Sequence, residues 1–95
     1  MTVVVTINVA ARFRGFLASA MLEIAPGVYT SPNMTKGIRQ RVWEVLSRWH
    51  DELQKGTIVM TWREPSAVGG QRIRLLGEAP KEIFDADGIY LVKYN

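Results

Sequence analysis

Five basic side chains stand out for the chemistry their types permit: Arg12 and Arg14, two positions apart, then Lys36, Arg39 and Arg41. Guanidinium and ammonium groups bind phosphate oxygens, and arginine does so through a planar, two-pronged fork. The charge is concentrated. Between Ala10 and Arg41 five bases face the single acid Glu23, a surplus of +4, while the rest of the chain holds seven bases and eight acids; the whole carries +3. Such clustering is the footprint of a polyanion surface, because each neutralised phosphate releases condensed counterions. Charge alone is equally consistent with a solvated face. Position adds weight to Arg12 and Arg14, which follow an apolar strand-like run and open a helical pattern. There, backbone N–H groups and the helix dipole also favour phosphate.

Other chemistries have few side chains to work with. The chain has no cysteine, which excludes disulfides, thiolate metal sites and cysteine nucleophiles, and fits a reducing compartment. His50 is the one histidine; between Trp49 and Asp51, late in a helical pattern, it reads as a surface residue. Asp85-Ala86-Asp87-Gly88 has the outline of a calcium-loop opening but lacks the further oxygen ligands such a loop needs, and reads as a turn. Gly27 and Gly69-Gly70 stand in no phosphate-cradling pattern with a following lysine, so they are turn glycines. Of the tryptophans, Trp49 and Trp62 belong to apolar patterns and are assigned to the core. Trp43 falls off the helical stripe and is a candidate for an interface or partner surface.

The elements that position these residues follow from periodicity. Thr2 to Val9 is rich in β-branched residues and nearly all apolar, the pattern of a central strand buried on both faces. Phe13, Phe16, Leu17, Ala20 and Met21 recur at steps of three and four, which predicts a first helix. Leu22 to Ile24 and Gly27 to Thr30 flank the turn signal Ala25-Pro26 and read as a hairpin. Capping side chains in Ser31-Pro32-Asn33-Met34-Thr35 precede a second stripe, Ile38, Val42, Val45, Leu46, Trp49 and Leu53. Gly56 fits just past that helix as its left-handed terminator. Thr57 to Trp62, Gln71 to Leu76 and Ile89 to Tyr94 read as strands; Glu64 to Gly70 reads as a loop, and Gly77 to Gly88 as a stretch with little periodicity.

Strand, helix, hairpin, helix, strand predicts an α+β fold: a ferredoxin-like βαββαβ sandwich with extra C-terminal strands. Residues 1–95 form one domain, with 71–95 as extension strands expected to serve dimer and partner contacts. A chain of 95 residues covers its apolar surface incompletely. Both helices would cover one sheet face, so a homodimer is expected to cover the other. With 47% hydrophobic and 22% charged residues, the composition is that of a folded globular protein. No apolar run approaches the roughly 18 residues of a membrane span, and the opening Met1-Thr2-Val3-Val4-Val5 lacks the charge of a secretory signal. A cytoplasmic protein with no membrane contact is expected.

Val3-Val4-Val5-Thr6, Asn8-Val9 and Arg12-Phe13-Arg14-Gly15-Phe16-Leu17 carry a resemblance. Leu22 and Glu23, Gly27-Val28-Tyr29, Ile38-Arg39, Trp43-Glu44, Val59-Met60-Thr61-Trp62 and Asp87-Gly88 continue it in order and approximate spacing. Together these residues resemble the CRISPR-associated Cas two family, type I-E subtype, over nearly the whole chain. The resemblance implies a homodimer of ferredoxin-like protomers, held between dimers of the CRISPR integrase (Cas one), with double-stranded protospacer DNA along its basic surface. It places phosphate contacts at Arg12 and Arg14 and, more loosely, at Arg39; Lys36 and Arg41 join them on charge.

The wider family includes enzymes described as endoribonucleases, in which a carboxylate ending the first strand serves a metal-dependent reaction. Here that position aligns with Ile7, with Asn8 beside it and no acid before Glu23. The usual magnesium site cannot be built from this strand. A second departure is Glu78-Ala79-Pro80, which offers no arginine pair for DNA or partner. The expected function is therefore a DNA-binding scaffold for spacer acquisition, without catalytic residues or cofactor. The alternative is a metal-dependent endonuclease on RNA or double-stranded DNA that uses magnesium and other acids. An unrelated ferredoxin-like RNA binder or regulatory domain ranks lowest, since the first strand has no aromatic residue for base stacking.

Overall fold

The computed structural model describes residues 1–77, 82–86 and 89–93. Five strands, β1 (Thr2–Ile7), β2 (Leu22–Ala25), β3 (Val28–Ser31), β4 (Thr57–Arg63) and β5 (Gln71–Leu76), form one sheet in the order β2-β3-β1-β4-β5. Every neighbouring pair is antiparallel. Two helices, α1 (Ala11–Ala20) and α2 (Lys36–Leu53), connect β1 to β2 and β3 to β4. The architecture is α+β and compatible with the ferredoxin-like expectation, with β5 added outside β4. β6 (Glu82–Ala86) and β7 (Ile89–Lys93) pair with each other as a separate antiparallel hairpin. β6 lies inside the stretch that shows little periodicity in the sequence.

Register explains which side chains form the core. Val4 lies opposite both Tyr29 and Met60, and Thr2 and Thr6 lie opposite Trp62 and Ile58. Side chains alternate along a strand, so these residues share one sheet face. That face packs against Phe13 and Leu17 of α1 and Val42 and Leu46 of α2 in a single buried cluster. β1 is central, as expected, but its burial is one-sided: Thr2 and Val4 are buried, whereas Val3 and Val5 are half-buried and Ile7 is exposed.

The second helix starts where the sequence places it. Thr35 caps it, its side chain accepting from the Ile38 N–H at 3.2 Å. Its stripe is narrower than predicted, since Ile38 and Leu53 at the two ends are exposed. The terminator also differs. Gln54, not Gly56, takes the left-handed conformation and donates its N–H to His50 O. Gly56 has a positive φ of its own for another reason: a Cβ there would come within 2.6 Å of Asn8 O. His50 is half-buried rather than a free surface residue, its Nε2 lying 3.1 Å from Gly56 O.

Gly27 pins the β2–β3 turn to the central strand. Its carbonyl accepts from the Thr6 N–H at 2.7 Å and the Thr6 hydroxyl at 3.1 Å. With φ at +78°, a Cβ would meet Thr6 O at 2.8 Å. Gly27→Ala therefore combines left-handed strain with a backbone clash, and should destabilise the fold by about 2 kcal/mol. A lower urea midpoint at unchanged m-value is the expected result.

Candidate nucleic-acid interface

The five predicted basic residues do not form one patch. Arg12 opens α1 and its guanidinium carbon lies 4.2 Å from the centre of the Trp49 ring. It also reaches Glu52 at 4.0 Å, a loose pair between exposed side chains. Trp49 is fixed from the other side by edge contacts with Phe13 and Phe16. One element of the core thus holds Arg12 in place. The start of α1 has no side-chain cap and no acid in its own first turn.

Arg14 is exposed on the same helix, towards β2 and β3. Beneath it Tyr29 is buried, and its hydroxyl finds no hydrogen-bond partner of ordinary geometry among the described residues. The Glu23 carboxylate lies across the strand pair and accepts instead from the Gly27 N–H at 3.0 Å. Burial first, then Glu23, push the Tyr29 phenol above its ordinary pKa, while Arg14 pulls it down. Each α1 arginine therefore has an acid in its neighbourhood.

Lys36 and Arg39 lie elsewhere, in a groove of about 510 Å³ between the first half of α2 and the β4–β5 edge. Lys36, Arg39, Gln40 and Trp43 line it from the helix, at the i, i+3, i+4, i+7 spacing of one face. Arg41 is turned about 140° from Lys36 and is exposed outside the groove. Trp43 is no free partner surface: it is half-buried, packs against the core and forms part of this wall.

Two lining residues escaped the sequence reading. Arg72 and Arg74 lie opposite Trp62 and Met60, so they occupy the helix-side face of β5. Both are exposed and line the groove. Their period-two spacing within a strand was the available signal, but only the sheet order shows that this edge adjoins α2. Arg39 and Arg74 both lie over Trp62, at 4.3 and 5.7 Å from its ring centre.

Glu64 is the one acid among the described residues that line the groove. Its two oxygens accept from the Ser66 hydroxyl at 3.1 Å and the Trp62 indole N–H at 3.3 Å. The serine bond first, then the indole, hold its pKa below the ordinary glutamate value, against slight desolvation and with help from Arg39 and Arg72.

At the end of β1, Ile7 is exposed and Asn8 takes a left-handed φ of 58°. Neither supplies a carboxylate, and among the described residues no three His, Cys, Asp or Glu side chains converge. These residues do not fit the magnesium site implied for family nucleases. Asp85 lies in β6, and Asp87-Gly88 lies outside the described residues. No helix among the described residues is long and apolar enough to cross a membrane.

A lowered folded-state pKa means that the ionised Glu64 stabilises above the unfolded-state glutamate pKa. The contribution is lost as pH falls through the lower folded value. The stability difference between wild type and Glu64→Gln should thus be largest near neutrality and vanish in acid, as read by urea denaturation across a pH series.

Compared with known protein families, residues 1–91 match the family described as CRISPR-associated protein (Cas_Cas2CT1978).

Proposed function

The chain belongs to this CRISPR-associated Cas two family, and on that premise we propose that it is a DNA-binding, dimeric scaffold of CRISPR adaptation. In this reading it bridges integrase dimers and positions double-stranded protospacer DNA for insertion into the repeat array, as in the type I-E subtype. The family match over residues 1–91 carries the proposal. Bond cleavage and joining fall to the integrase. Ile7 at the end of β1 supports that division of labour, because it replaces the acid a family nuclease would use there.

DNA would be held by phosphate contacts from Arg12 and Arg14 at the start of α1, with Lys36, Arg39 and Arg41 contributing from α2. Contacts to phosphate fix position without reading sequence. That suits a protein that must accept DNA of any sequence.

The dimer draws support from the sheet face opposite the helices. Val3, Val5, Ile7, Val28, Val59, Ile73 and Leu75 share it by register and are half-buried or exposed. A second copy is the occupant we propose, since a two-fold axis would cover one such face with another. It would also set a fixed separation between two integrase sites. Sedimentation should therefore give twice the 10.7 kDa chain mass; a monomer at micromolar concentration contradicts the reading.

The direct test is co-purification with the neighbouring integrase, followed by spacer integration with and without this chain. Integration that needs the chain supports the proposal. Magnesium-dependent cleavage of RNA or duplex DNA by the purified chain, abolished by mutating one acid, would support the nuclease alternative instead. Arg12→Ala with Arg14→Ala should weaken binding of all duplex sequences alike. It should reduce the log–log salt slope by about 0.9 for each phosphate no longer neutralised.

A further inference from the structure

We infer that the groove between α2 and β5 is a second phosphate-backbone site, in which Lys36, Arg39, Arg72 and Arg74 grip duplex DNA. The inference rests on the DNA-binding reading above and extends it from Lys36 and Arg39 to the strand edge beside them, adding Arg72 and Arg74, which that reading does not use.

Charge is the first support. Among the described residues that line it, four bases face the single acid Glu64, a surplus of +3 in one groove, matching the formal net charge of the entire chain. Glu64 is itself engaged by Ser66 and Trp62. The one ion pair among the described residues is Arg12 with Glu52, so among those residues no carboxylate lies at salt-bridge distance from any of the four groove cations. The α2 terminus adds to the same field: its first turn holds no acid, and open space surrounds Gly37 there.

The pattern of β5 is the second support. Residues on its outer face, Ile73 and Leu75, are apolar, and on its helix-side face Leu76 packs against the core. Arg72 and Arg74 occupy the other two helix-side positions, where the sheet would ordinarily place apolar groups. Charge at such positions breaks the local alternation, and among the described residues no ion pair compensates it, which is where function is expected to override folding preference.

Geometry selects among polyanions. Trp62 is buried and carries Arg39 and Arg74 on its ring, so it offers no free face for an unstacked base. Trp43 is half-buried against the core. Without an exposed aromatic or apolar anchor, the groove lacks what a protein tail would need for a tight interface. Guanidinium groups held against an indole are pre-ordered and keep their edge N–H donors free for phosphate oxygens.

The test is fluorescence anisotropy of a labelled mixed-sequence duplex across a salt series, with wild type, Arg72→Ala/Arg74→Ala and Arg12→Ala/Arg14→Ala. The groove variant should bind more weakly and its salt slope should fall by about 1.8 if each arginine holds one phosphate. Arg72→Lys/Arg74→Lys should keep most of the slope. Circular dichroism checks folding, and Arg72→Gln/Arg74→Gln replaces the alanine pair if that pair does not fold. An unchanged slope in the folded groove variant, with a reduced slope in the α1 variant, overturns the groove and leaves the DNA-binding reading intact. Wild type indifferent to duplex at low salt overturns both. Polyglutamate held more tightly than the duplex, and released by Arg72→Ala/Arg74→Ala, makes the groove an acidic-tail site and overturns the inference.

Discussion

The sheet of this protein has two faces and two helices, and both helices lie on the same face. Val4, Tyr29 and Met60 from three adjacent strands meet Phe13, Leu17, Val42 and Leu46, and all seven are essentially excluded from water. Burial of that apolar surface is the main favourable term available to a chain this small. The remaining features follow from how far this cover extends. It buries side chains of β3, β1 and β4, and it runs out at the two edge strands, β2 and β5. On β5 the helix-side positions 72 and 74 look into a groove instead of a core, so the same alternation that buries Met60 and Trp62 presents two arginines.

The same packing sets the electrostatics. Phe13 and Phe16 hold Trp49, and Trp49 in turn underlies Arg12; Trp62 does this for Arg39 and Arg74. Trp49 and Trp62, assigned to the core from their apolar patterns, also serve as supports on which guanidinium groups lie. The charges are therefore anchored to the core and lose less side-chain entropy on meeting a ligand than free arginines would. Rigid, sequence-blind positive charge on a folded frame is what the proposed role, holding a duplex of arbitrary sequence, would require.

Much of the frame was legible in the sequence because its signals are local. The Thr35 cap, the Val42, Leu46 and Trp49 stripe and the β-branched run of β1 depend on neighbours within a turn or a strand. Other features were not. A glycine at 56 invites assignment as the helix terminator, yet Gln54 takes that conformation and the glycine is needed for a close approach of Asn8 from a distant strand. β6 falls in a stretch without alternation, so no period-two pattern marked it. The basic groove was hidden for a third reason: Lys36 and Arg39 lie more than thirty positions from Arg72 and Arg74. Sheet order alone joins them, and a local charge balance cannot register a strand edge meeting a helix.

The end of β1 bears on what kind of protein this is. A metal-dependent phosphodiesterase must neutralise charge on the scissile phosphate, and it does so with a divalent ion held by carboxylates. Ile7 and Asn8 offer an alkyl group and an amide at that point, and Asn8 turns the backbone through a left-handed conformation directly beyond. The basic residues assigned to DNA contact lie instead on α1, on α2 and on the helix-side face of β5. Cations at fixed positions, apart from any carboxylate cage, stabilise a bound backbone equally before and after a bond is broken. Uniform binding of that kind holds a substrate without accelerating its chemistry. On the proposed reading, this arrangement of charge suits a protein that holds DNA while a partner performs the strand transfer.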